Sequence, residues 1–113
     1  MLIIRDTLAF EDLRQMAVRM FGDLVKAVVD VDREIMAVDA ELHADLEALL
    51  LQDGSAQRGL WGINLYPELP GDQWIEFDSM INMRPSQGNR SRGVEDEALR
   101  SRVVAVVEKR LAR

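Results

Sequence analysis

Hydrophobic positions along this chain change period several times, and each change marks an element. Leu2-Ile3-Ile4 is a short β-branched run and predicts a strand. From Leu13 the apolar positions fall three and four apart, at Met16, Ala17, Met20 and Leu24, the stripe of a helix with one buried side. Asp6 or Thr7 is placed to cap that helix, Glu11 and Asp12 sit near its positive end, and Gly22 stops it after Phe21. Its methionines read as core filler. Lys26-Ala27-Val28-Val29-Asp30-Val31 and Ile35-Met36-Ala37-Val38, separated by Asp32-Arg33-Glu34, predict two strands and a tight turn. One long helix from residue 23 competes for that segment, and the density of valine weighs against it.

Residues 39–51 return to helical spacing, with Leu42, Leu46, Leu49 and Leu50 on one stripe and Asp39 as the cap. Asp53-Gly54-Ser55 ends the helix. Two alternating stretches follow. In residues 60–66 the apolar side chains are Trp61, Ile63 and Leu65, and in 74–83 they are Ile75, Phe77, Ile81 and Met83. A Pro70-Gly71 turn between them predicts an antiparallel hairpin. After a polar loop, Leu99, Val103, Val106, Val107 and Leu111 mark a last helix beginning near Val94. The order β-α-β-β-α-β-β-α predicts an α+β fold. A single small, mostly antiparallel sheet packs against two or three helices, which cover one side of it. No biased linker divides residues 1–113, so one domain is expected, with a folded surface of about 6,300 Å² from size scaling.

Composition narrows the chemistry. The 113 residues include no cysteine, which excludes disulfides, thiolate nucleophiles and Cys-ligated metals. The net charge of -6 is unevenly distributed: residues 1–83 hold 16 acidic and 6 basic side chains, and residues 84–113 hold 4 and 8. A globally acidic surface argues against nucleic acid as a partner. The asymmetry lets the two parts attract one another within one domain or across a homodimer. No apolar run reaches the ~20 residues of a membrane span, and cytoplasmic residence is the default expectation.

Three polar constellations are candidates for function. Pairing the two alternating stretches sets Tyr66 near Trp74, Asn64 near Glu76 and Gly62 near Asp78, all leaving one face, with Asn82 and Arg84 extending it. The carboxylates of Glu76 and Asp78 would then stand roughly 6–7 Å apart, able to flank a divalent ion or a water. The bland alternative is the solvated face of a two-sided sheet. Asp39, His43 and Glu47 share one helical stripe, where His43, the only histidine, is suited to carry a proton. That spacing lacks the second histidine of the zinc-protease helix, and an ordinary helix contact fits it as well. Third, the loop Gln87-Gly88-Asn89-Arg90-Ser91-Arg92-Gly93 leads into a helix and offers free amides and arginines to an anion. Equally, Arg90 or Arg92 can bridge to Glu76 or Asp78 and serve the fold alone. Trp61 is expected inside and Trp74 on the polar face, where it could stack on a ligand or mark a subunit contact. No motif names a cofactor.

The strings His43-Ala44-Asp45-x-Glu47, Gly54-Ser55-x-Gln57, Leu60-Trp61-Gly62-Ile63-Asn64, Ile75-Glu76-Phe77-Asp78-Ser79-Met80-Ile81-Asn82 and Arg84-Pro85-x-x-Gly88-Asn89-Arg90-Ser91-Arg92 together carry a resemblance. The chain resembles, over essentially its whole length, a family of small bacterial and archaeal proteins catalogued as a domain of unknown function. That resemblance implies a soluble stand-alone domain and supplies no mechanism. Three readings follow, in order. The first is a structural or protein-interaction domain that self-associates through its sheet or tryptophan face. The second is a metal-assisted hydrolase or phosphotransfer enzyme using His43, Glu76 and Asp78, with Arg84, Arg90 and Arg92 clamping the anionic group. The third is a module binding a small anionic ligand or nucleotide through Asn64, Tyr66, Trp74, Asn82, Arg84, Asn89, Arg90, Ser91 and Arg92.

Overall fold

Each predicted run of β-branched residues becomes a strand of one sheet. In the computed structural model, which describes residues 1–113, β1 (Leu2–Ile4) and β2 (Leu8–Ala9) precede α1 (Phe10–Met20). The hairpin β3 (Val25–Asp30) and β4 (Ile35–Val38) leads to α2 (His43–Gln52). Then come β5 (Leu60–Leu65), β6 (Ile75–Glu76), α3 (Glu97–Arg110) and β7 (Leu111–Ala112). The main sheet is antiparallel throughout, in the order β1-β4-β3-β5-β6. β2 and β7 form a separate parallel pair, Leu8 with Leu111 and Ala9 with Ala112. This is the expected α+β architecture of one small sheet and three helices, and its surface of 6084 Å² is close to the size-scaling value.

Helices cover both faces of the sheet, where cover on one side was expected. Val25, Ala27, Val29, Met36, Val38, Trp61, Ile63 and Leu65 pack with α1 and α3 residues such as Leu13, Met16, Val103 and Val107. Val28, Ile35, Ala37 and Leu60 pack on the opposite side with Leu46 and Leu50 of α2. The physical reason lies in β3 and β4, whose consecutive apolar residues are buried on both parities, as in any strand sandwiched between layers.

Several boundaries also move. The N-cap of α1 is Ala9, with no side-chain bond, in place of Asp6 or Thr7. Met20 and Leu42 are exposed, not core. Asp39 does not cap α2. It adopts a left-handed conformation at φ 75°, so the helix starts four residues later and buries His43, Leu46 and Leu50. α3 begins at Glu97, with the Asp96 side chain accepting the amides of Ala98 and Leu99. The strand expected over 74–83 is two residues long, and Asn82 lies in a short 3-10 turn, Met80–Asn82. Trp74 is buried at 5% exposure, its ring edge-on to Phe10 with centroids 5.4 Å apart. An apolar ring beside the α1–α3 layer gains more from burial than it would standing on the polar face.

Ion pairs fasten the basic C-terminal part to the acidic remainder: Arg92 to Asp78, Arg102 to Asp32 and Lys109 to Glu34. A further cluster anchors the end of α2. Asp53 accepts from Arg5 of the β1–β2 link and from Arg33 of the β3–β4 turn, and Arg33 also donates to Ser55 at 2.8 Å. The hydrogen bonds from Arg5 and then Arg33 lower the Asp53 carboxyl from 3.8 to about 2. Because its folded pKa is depressed, its contribution is complete above pH 3.8 and is lost as pH falls through about 2. Asp53→Asn should therefore flatten the acid limb of the stability–pH curve in that window. An unchanged limb in urea unfolding at stepped pH would show that the cluster contributes nothing.

Candidate functional site

The register of β5 with its neighbours decides which polar side chains meet. Asn64 pairs with Glu76, as the alternation predicts, and Tyr66 N–H donates to the Trp74 carbonyl at 2.7 Å. Even-numbered side chains of β5 and β6 leave on the α2 side. There Asn64 Nδ2 donates to Glu76 Oε1 at 2.9 Å and to the Asp78 carbonyl at 3.3 Å. The Tyr66 hydroxyl donates to the same Glu76 oxygen at 3.1 Å, and burial, with Glu76 adding to it, raises the phenol pKa. Asp78 Oδ1 accepts from Arg92 Nε at 2.6 Å.

Beyond Glu76 the backbone leaves the sheet, and side chains take over its bonds. The strand register would bring Asp78 opposite Gly62. In its place stands the carboxamide of Asn82. Gly62 N–H donates to Asn82 Oδ1 at 2.8 Å, and Asn82 Nδ2 donates back to the Gly62 carbonyl at 2.9 Å. Those are the two bonds that a paired strand residue makes. The remaining Asn82 hydrogen goes to the Arg92 carbonyl at 2.9 Å, and the residue is wholly buried. Glycine is required opposite it, since a Cβ on residue 62 would lie 2.6 Å from Ser79 Cβ and Oγ. Two residues along, the Arg84 guanidinium donates to the carbonyls of Leu60 and Gln57 and lies 4.0 Å from the centre of the Trp61 ring. Burial lowers the Arg84 pKa, with the charge of Glu47 opposing that shift. Two side chains thus finish the edge of β5.

Asn89 organises the following loop in the same way. Its Nδ2 faces the carbonyls of Asn82 at 2.7 Å, Gly93 at 2.8 Å and Ser91 at 3.2 Å, while its Oδ1 accepts Glu95 N–H at 2.9 Å. The backbone of Asn89 bridges Arg84. The amides of Arg90 and Ser91 do bind an anion, and it is the chain's own: Glu95 Oε2, at 2.5 and 2.9 Å. Those two backbone bonds lower the Glu95 pKa. The Arg90 side chain is exposed.

His43 opens α2 at 8% exposure, and its Nε2 lies 2.8 Å from the Ile63 carbonyl. A carbonyl only accepts, so Nε2 carries the hydrogen, and burial disfavours a second proton on the ring. His43 shares the α2 side with Glu76 and Asp78 and bonds to neither. Burial lowers its pKa below 6.5, against the pull of the Ile63 carbonyl. The unfolded chain therefore takes this proton first, and stability falls as pH drops through 6.5. An imidazole NMR titration should give a midpoint below 6.5. A midpoint at or above that value would contradict the buried, neutral ring. Asp39, outside the helix, does not join His43 and Glu47 on a stripe. No three His, Asp or Glu side chains lie close enough together to hold a metal ion.

Lys26 and Ser79 escaped the sequence reading. Lys26 pairs with Asn64 across β3 and β5, and its charge acts on His43. The signal for it was present, as the single charge at an even position within the apolar run 25–29. Ser79, at 1% exposure, had no such mark.

Gly62, Asn64, Glu76, Asp78, Asn82, Arg84, Asn89 and Arg92 of the strings quoted from the sequence meet in this edge and loop, joined by Tyr66 and Glu95 from outside them. No helix in it is long and apolar enough to cross a membrane. No curated protein and no solved structure matches the chain detectably. One family model does, covering residues 2–110 and so both the edge and the loop, and the chain belongs to that family, described as Protein of unknown function (DUF5674).

Proposed function

We propose that this chain is a self-associating structural domain and that its polar constellation builds the fold instead of acting on a substrate. The observation supporting this is where the polar groups point. Asn82, Arg84 and Asn89 direct their bonds to the chain's own backbone, Arg92 bonds Asp78, and the loop amides bond Glu95. The enzymatic alternative is less well supported, because Glu76 is already held by Asn64 and Tyr66, and Asp78 by Arg92. A cytoplasmic setting belongs to the same reading, on the strength of the cysteine-free composition.

A second reading, a small anionic ligand on the loop, is favoured by the exposed Arg90 side chain alone. Two measurements separate the readings. Sedimentation velocity should show a concentration-dependent dimer, and inorganic phosphate at millimolar levels should leave the amide signals of residues 88–94 unmoved. A strict monomer whose loop amides shift with phosphate would overturn self-association in favour of the ligand.

A further inference from the structure

The two ends of the sheet are treated differently. At one end β6 is only two residues long, and Asn82 and Arg84 complete the rest of β5. At the other end β1 has no neighbour beyond it. No charged side chain, proline or bulge interrupts Met1 to Ile4, the usual devices that blunt an edge. Alternation across the sheet fixes which groups point outward. Tyr66 N–H bonds Trp74, so even residues of β5 face β6 and odd ones face β3. Carried through the registers of β3 and β4, Leu2 and Ile4 bond β4, and the N–H and C=O of Ile3 point away from the sheet.

We infer that β1 is the self-association surface and that its occupant is the β1 strand of a second copy. The pairing is antiparallel about a twofold axis at Ile3, giving one continuous sheet across the dimer. This rests on the self-association reading and specifies its geometry. A twofold there sets each outward donor of Ile3 on the outward acceptor of the other copy, so the edge is complementary to itself. It also matches the layers. Leu2, 40% exposed, comes beside Ile4 of the other copy on the α1–α3 side, and Ile4 belongs to the larger core. On the α2 side Ile3, which packs against the smaller core, meets its own counterpart. Both apolar layers then run unbroken through the junction, and Leu2 leaves water.

The test uses the full chain. Leu2→Lys puts a charge on an exposed side chain and should weaken dimerisation about tenfold in sedimentation velocity, with far-UV circular dichroism unchanged. Because the chain has no cysteine, Ile3→Cys provides a second readout. Mild oxidation should yield a disulfide-linked dimer, while Val18→Cys, on the 73% exposed outer side of α1, stays unlinked. A wild-type dimer that survives Leu2→Lys and is not trapped through Ile3→Cys would overturn the β1 assignment and leave self-association standing. A monomer at every concentration would overturn both.

Discussion

Asn82→Ala is expected to lower the unfolding free energy by about 3–5 kcal/mol, and the thermal midpoint by roughly 10–20 °C. The side chain is wholly buried and spends its acceptor and both hydrogens on backbone groups of Gly62 and Arg92. Truncation leaves the Gly62 N–H and carbonyl without partners in a place water does not reach, at about 1–3 kcal/mol for each unpaired group, while the Arg92 carbonyl keeps only its bond from Ser79 N–H. The loss should be local before it is global. Hydrogen exchange at the Gly62 amide should accelerate more than at Ile63 or Leu65, whose bonds run to β3. Asn82→Asp keeps the acceptor for Gly62 N–H and loses both donors, so it should also be strongly destabilising at neutral pH. A cost under about 1 kcal/mol for the alanine variant would mean that the segment re-pairs as strand and that the carboxamide is dispensable.

Asn89→Asp is nearly isosteric, and its effect should be larger than its size suggests, about 4 kcal/mol at pH 7. It turns a donor facing the carbonyls of Asn82, Ser91 and Gly93 into a charged acceptor facing the same three oxygens. The bond from Glu95 N–H survives and offsets part of the loss. Burial and the facing oxygens both disfavour the carboxylate, so the introduced group has a raised folded pKa. The sign follows: the folded state holds the proton more tightly, and the penalty grows as pH rises through the ordinary carboxylate value of about 3.9. Chemical denaturation at low and at neutral pH checks this. The variant should approach wild type in acid and diverge from it at neutrality, and a pH-independent deficit would remove the electrostatic account.

The elements most legible in the sequence were those whose burial imposes a period. The stripe Leu13–Met16–Ala17 and the run Val103–Val106–Val107 fold as read, and the hairpin of β3 and β4 lies where the valines set it. Cover on both faces was also written there, in the adjacency of Val28 and Val29, which alternation about one buried face does not allow. The end of β6 was not legible. Phe77, Ile81 and Met83 keep the period of a strand after the backbone has left the sheet, and no local feature says that Asn82 will supply the missing partner. Asn and Arg are the residues expected of a ligand site because they make several directed hydrogen bonds. The same capacity lets them stand in for backbone, and sequence alone does not separate the two uses. The start of α2 was missed for a conformational reason, since Asp39 is excellent as a cap and also among the few residues that tolerate a left-handed backbone.

The pairing of Leu8–Ala9 with Leu111–Ala112 bears on the order in which the chain assembles. Arg110 reaches back to the carbonyls of Asp6 and Glu34, and Arg113 lies over the rings of Phe10 and Trp74. These contacts join the most distant parts of the sequence and carry the largest loop-closure entropy in the molecule. Loop closure of that length is expected to come after the β3–β4 hairpin and the helices that dock on it, so substitutions among these contacts should speed unfolding without slowing folding, as stopped-flow measurements would show. On the ribosome the core of the sheet would exist before its final latch. A nascent chain stalled short of Leu111 would hold Phe10 and Trp74 with their cover still to come.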